Sequence, residues 1–191
     1  MPTALHIEKQ SFTFGDNWPV AFKYDDTPFY LNGPQRINGE LDGVNHGTKA
    51  VDIVALHSTA GLLILEAKDF RGYRIANKKR LTHREIVVEM ALKVRDTVAG
   101  LVGAARQKTP DFDSAEIKKA LNPGKELLIV LWLEDDGARD ALRWKQQLDT
   151  LTQEMKEKMK WLNARIFVLS HSTQNRLPDL QVANLPGAGG H

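Results

Sequence analysis

Residues 49 to 68, KAVDIVALHSTAGLLILEAK, narrow the possible folds more than any other stretch. Val51, Ile53, Val54, Ala55 and Leu56 are followed, after a short STAG break, by Leu62, Leu63, Ile64 and Leu65. Strands that are apolar on both alternating faces are covered on both sides. The glycine-containing break joins residues 49 to 57 and 62 to 68 as a hairpin. Two further runs have the same character, LLIVLWL at 127 to 133 and ARIFVL at 164 to 169. Helical spacing lies between them. Val87, Met90, Ala91, Val94, Val98, Leu101, Val102 and Ala105 predict a helix from about His83 to Arg106. Thr82 and Glu85 have the spacing of a capping box at its start. A short helix fits 114 to 121, stopped by NPG, and a long one 137 to 162.

The order from Thr48 is therefore strand, strand, helix, strand, helix, strand. A hairpin followed by crossover helices makes an α/β fold with a mixed central sheet flanked by helices. Residues 1 to 47 are broken by Pro19, Pro28, Gly33, Pro34, Gly39, Gly43 and Gly47. Only SFTF and VAFKY read as extended there, with room for a short helix within 29 to 42. The 191 residues suit one domain over 1 to 185, with a loose tail at 186 to 191. Hydrophobic residues at 42% and charged residues at 26% are ordinary for a soluble globular chain. The absence of cysteine excludes disulfides and thiolate metal sites. No signal peptide or membrane-length apolar run is present, so a cytoplasmic protein without a membrane partner is expected.

Against this apolar background stand three ionisable residues, Asp52, Glu66 and Lys68. Burying a charge is costly unless it is paired or binds a metal. Turn length decides whether the three meet, because a one-residue slip flips every side chain to the other face. A three-residue turn, Thr59-Ala60-Gly61, pairs Asp52 with Lys68 and sets all three residues on one face. Gly61 favours it, since such turns end in a residue of positive φ. Two carboxylates, with the carbonyl of Ala67 between them, suit a hard divalent cation. Lys68 suits the negative charge that develops on a phosphate.

Asp52 followed by Glu66-Ala67-Lys68 on the next strand resembles the PD-(D/E)xK nuclease superfamily. LLILEAKDFRGY also resembles the region after the motif in the nuclease-related NERD group. Val51 stands where the family's proline would be. The resemblance implies a restriction-endonuclease-like core: a helix, a β-meander carrying the motif, a helix and a further strand. It implies hydrolysis of phosphodiester bonds in DNA with Mg²⁺ or Mn²⁺. Asp52 and Glu66, with Ala67, would be metal ligands, and Lys68 the catalytic lysine. The family's further acidic residue would be Glu40, the nearest candidate, with Glu8 as another. Nucleases of this fold often act as homodimers, and a compact domain without a recognition module suggests structure-selective cutting or a targeting partner. The other reading is a catalytically inactive nuclease-fold module that binds nucleic acid or a protein.

RGYRIANKKR, directly after the motif, holds Arg71, Arg74, Lys78, Lys79 and Arg80, with Tyr73 available for stacking. These residues are the expected nucleic-acid contacts. Glu89 and Lys93 could face the site from the helix, but a solvated helix face is the expectation, with the four tryptophans as core or partly buried anchors. The histidines show no zinc-ligand spacing.

Overall fold

The computed structural model describes residues 2–41, 43–59, 61–73, 84–107, 111, 113–136 and 140–186. Ten strands and four α-helices follow in chain order among them. Strands β1 (Thr3–Ile7), β2 (Gln10–Phe14) and β3 (Val20–Lys23) lead to a one-turn helix α1 (Pro28–Asn32). Next come β4 (Gly39–Leu41), β5 (Val44–His46), β6 (Ile53–His57) and β7 (Gly61–Asp69). The remainder is α2 (Glu85–Arg106), α3 (Ser114–Ala120), β8 (Leu127–Glu134), α4 (Ala141–Lys158), β9 (Arg165–Leu169) and β10 (Leu180–Asn184).

The centre is a five-stranded mixed sheet in the order β3-β6-β7-β8-β9. β3, β6 and β7 form an antiparallel meander, while β8 and β9 run parallel to β7. The parallel joins need crossovers, and α2 with α3, then α4, supply them. Strand alternation divides the sheet's side chains between two cores. Val54, Leu56, Leu62, Ile64, Ile129 and Leu131 pack against α2 and α4 through Met90, Val94, Leu101, Trp144, Leu148 and Met155. Ile53, Ala55, Leu63, Leu65, Val130 and Trp132 pack instead against Phe12, Phe14, Leu180 and Val182.

The mixed central sheet agrees with the sequence reading, but its coverings differ. All four helices contribute to the first core. The opposite face is covered by a second antiparallel sheet, β1-β2-β10. β10 joins β2 along a full five-residue register, which no local pattern in either segment announces. β1 and the small β4–β5 hairpin were also not predicted.

Three local corrections follow. Helix α2 starts at Glu85, with Arg84 in the left-handed region (φ 62) at its N-cap position and no side-chain cap bond from Arg84. Thr82 of the expected capping box lies outside the described residues. α4 is shorter than predicted, starting at Ala141 with the Asp140 side chain capping Arg143 N and ending at Lys158. Trp18, Trp132 and Trp144 are buried, whereas Trp161 is exposed in the short 3-10 turn after α4. Among the described residues no helix is long and apolar enough to cross a membrane.

Candidate functional site

The hairpin register sets the site. β6 and β7 pair as Ile53↔Leu65 through His57↔Gly61, so three residues, 58 to 60, connect the two strands. The loop has three residues, as expected, but lies one residue earlier. Gly61 is the first residue of β7 and holds the positive φ, at +96°. Asp52, just before β6, is therefore opposite Glu66, where the sequence reading paired it with Lys68. A shift of two in register preserves parity, so Asp52, Glu66 and Lys68 still share one face, the one toward the helices.

Each neighbour of the site is held by a specific bond. Thr97 Oγ1 on α2 accepts from Val51 N at 3.2 Å, and Asp96 accepts from Lys49 N at 2.9 Å. These bonds dock the segment before Asp52 onto the helix. Tyr24 N donates to the Asp52 carbonyl at 2.9 Å, carrying β3 past the same point. Asp52 Oδ2 then accepts from Ala67 N at 2.7 Å. Beside it, Glu66 Oε1 accepts from Lys68 Nζ at 2.7 Å and from Lys93 Nζ at 2.7 Å. Lys68 also faces Glu89 at 3.6 Å.

Lys93 and Glu89 are thus part of the cluster, contrary to their expected place on a solvated face. The topology explains it. A helix that follows β7 and precedes a strand parallel to it runs back along the sheet. Its first turns therefore lie beside the carboxyl end of β7.

Two more carboxylates approach the same edge. Asp25 follows β3 and feels the charges of Lys93 and Glu66. Glu8 is at positive φ (51°) in the two-residue β1–β2 turn, and its carboxylate accepts from Asp69 N at 2.5 Å. The sequence reading named Glu8 and missed Asp25, whose signal was a DD pair directly after an extended segment. Glu40 is exposed on β4, opposite Asn45 of a separate hairpin, and is not brought to this cluster.

Burial is the main cause that pushes the pKa of Asp52, Glu66, Asp25 and Glu8 above the ordinary carboxylate range. For Glu66 the charge of Asp52 adds to it, against the opposing pull of Lys93 and Lys68. Burial alone would lower Lys68, but the charge and hydrogen bond of Glu66 outweigh it and hold Lys68 above its usual value. Desolvation combined with specific charge partners is an arrangement that functional sites share with structural ion-pair networks.

The shifts carry a stability prediction. A carboxyl whose folded pKa is raised stabilises the fold below its unfolded pKa of about 4, and that contribution is lost as pH rises through the folded value. Asp52→Asn keeps a carbonyl acceptor for Ala67 N and removes the charge. It is expected to raise Tm at pH 8 and to leave Tm nearly unchanged at pH 4. Thermal melts of both proteins across that range check it, and a lower Tm at pH 8 would contradict it.

The donor set fits one hard cation in part. Glu66 Oε2 is buried and meets no hydrogen-bond partner among the described residues, an expensive state for a carboxylate oxygen. Asp52 and Glu66 are oxygen donors of the type Mg²⁺ takes, usually one or two carboxylates with water and phosphate completing the shell. No three His, Asp or Glu side chains among the described residues form a metal cage by themselves.

The expected nucleic-acid contacts divide. The Arg71 guanidinium forks onto Asp69, with Nε to Oδ1 at 2.9 Å and Nη2 to Oδ2 at 2.5 Å. Burial works to raise Asp69, but the fork prevails and holds it below the usual range. Tyr73 is exposed, with Lys9 Nζ 5.9 Å from its ring centroid. Arg74, Lys78, Lys79 and Arg80 lie outside the described residues. On the other face of the sheet Glu134 accepts from both His171 N (2.8 Å) and His171 Nδ1 (2.7 Å), a bond pair that ties β8 to the turn after β9.

Comparison of the chain with protein-family models, with curated proteins and with solved structures returns no match.

Proposed function

We propose that the protein is a metal-dependent nuclease that hydrolyses phosphodiester bonds in DNA. The observation that carries this reading is the meeting of Asp52, Glu66 and Lys68 on one face at the end of β6–β7, with one Glu66 oxygen left unpartnered among the described residues. The β3-β6-β7 meander, followed by α2 and then β8, also has the order implied by the PD-(D/E)xK resemblance. No helix precedes that meander among the described residues, and a sheet takes the place of helices on one face. The restriction-endonuclease-like assignment therefore rests on the motif and the strand order.

In this reading Asp52, Glu66 and the Ala67 carbonyl would hold Mg²⁺ or Mn²⁺. The bound ion supplies Lewis-acid charge at the phosphate and lowers the pKa of a water. Lys68, kept charged by Glu66 and steadied by Glu89, donates to the phosphate oxygen on which negative charge develops. The raised pKa of Asp52 and Glu66 means that a cation is welcome there, since it offsets the cost of holding two carboxylates in a buried corner. Arg74, Lys78, Lys79 and Arg80, which follow Tyr73 in the sequence, would supply phosphate contacts. Cutting both strands of a duplex takes two such sites, which a homodimer provides.

A second reading is a catalytically inactive binding module, favoured because no three His, Asp or Glu side chains among the described residues are grouped to hold a metal ion. Cleavage distinguishes the two. Purified protein is expected to nick supercoiled DNA or cut single-stranded DNA with Mg²⁺ or Mn²⁺ and to do neither in EDTA. Folded protein that binds DNA but leaves it intact in every metal would support the binding module instead.

A further inference from the structure

Glu66 has one oxygen doubly occupied and the other bare. Oε1 takes the ammonium groups of both Lys68 and Lys93, each at 2.7 Å, while Oε2 is sealed from solvent without a donor among the described residues. Two like charges on one oxygen repel each other. A helix-surface lysine would ordinarily extend into water. Lys93 instead reaches into the helix–sheet interface, with its side chain only 16% exposed. The role given to Lys68 leaves Lys93 without a part in the chemistry.

The two lysines are not equally held. Lys68 has a second carboxylate, Glu89 at 3.6 Å, and stays anchored if it loses Glu66. Lys93 has Glu66 as its ion-pair partner among the described residues. Its ammonium does for Glu66 what a metal ion would do, namely neutralise a desolvated carboxylate. Its charge also acts on Asp52 and Asp25.

We propose that Lys93 is a resident counter-ion that competes with a divalent cation for the Glu66 carboxylate, which makes the site responsive to the divalent-cation level. This rests on the metal-dependent reading above. At low divalent concentration Lys93 closes the site and keeps the buried carboxylate neutralised. At high concentration the cation takes Glu66, and the released ammonium becomes available to a substrate phosphate beside Lys68.

A purely structural Lys93, present only to fix the Glu66 side chain, predicts the opposite sign for its removal. Isothermal titration with Mn²⁺ alone, without DNA, separates the two. Lys93→Met is expected to bind Mn²⁺ at least about tenfold more tightly than wild type, a gain of ~1.4 kcal/mol. Lys93→Gln, closer in polarity and able to donate to Glu66 without a charge, should bind more tightly in the same direction. It serves if the methionine variant does not fold, as judged by circular dichroism. Equal or weaker Mn²⁺ binding by the folded variant, with binding intact in wild type, overturns the counter-ion role and leaves the nuclease reading standing. Absence of Mn²⁺ binding in wild type and variant alike overturns both.

Discussion

Lys68→Ala and Asp52→Ala are each expected to reduce metal-dependent cleavage by about 10²–10³-fold, the usual cost of removing one preorganised group from a charge-stabilising site. The two substitutions act on different parts. Lys68 is the ammonium placed to meet developing negative charge, so its loss should lower kcat with little change in KM. Asp52 is a carboxylate of the cation site, so its loss should also raise the Mn²⁺ concentration needed for half-maximal rate. Glu40→Ala is the matching control. Glu40 is exposed on the separate β4–β5 hairpin and should cleave as wild type does. Single-turnover rates on one labelled substrate, with a Mn²⁺ titration for each variant, test all three. Wild-type rates for Lys68→Ala would remove it from the chemistry.

Gly61→Ala is expected to have the largest effect on the fold that supports the site. Gly61 holds φ at +96°, a conformation other residues rarely adopt. A residue forced into a sparsely populated backbone region loses about 1–3 kcal/mol. Steric overlap adds to this, because a Cβ at Gly61 would lie 2.1 Å from the Glu126 carbonyl oxygen. That carbonyl is not free to move: it accepts from Leu62 N at 3.0 Å where β7 begins to pair with β8. The expected outcome is a large fall in Tm, together with impaired cleavage in whatever protein remains folded, because the same turn sets Asp52 opposite Glu66. Chemical denaturation and cleavage of the same preparation check it. A Tm within a degree of wild type would show that the turn can rearrange.

What the sequence made legible followed from local chemistry. The apolar runs at β6, β7, β8 and β9 could hardly be anything but buried strands, and the helical stripe through Met90, Val94 and Leu101 fixed α2 between them. The shared face of Asp52, Glu66 and Lys68 depended only on the parity of the turn. It therefore survived a register that differed by two residues. Gly61 was identified as the residue of positive φ but placed in the loop, because turn statistics do not say whether that residue also pairs across the hairpin.

What was not legible depends on long-range partners. β2 reads as extended, but its pairing with β10, some 170 residues later in the chain, has no local signal. Without that sheet, helices were the natural covering for both faces. Asp25 and Lys93 reach the site through topology. Asp25 arrives with the end of β3, and Lys93 with a crossover helix whose first turns run beside the carboxyl end of β7. Lys93 follows Glu89 by one helical turn, and such a pair reads as a solvated salt bridge until the neighbouring strand is placed. Glu40 was attractive because it precedes the motif, but the β4–β5 hairpin pairs it only with Asn45.

The central claim is that Asp52 and Glu66 together form a cation site beside Lys68. A crystal structure of the protein grown with Mn²⁺ tests it most directly, through the anomalous signal of the ion. The account predicts one anomalous peak shared by the Asp52 and Glu66 carboxylates, with Glu66 Oε2 no longer unpartnered. A structure with Mn²⁺ bound elsewhere or not at all, and with Lys68 and Lys93 still closed on Glu66 at saturating metal, would contradict it.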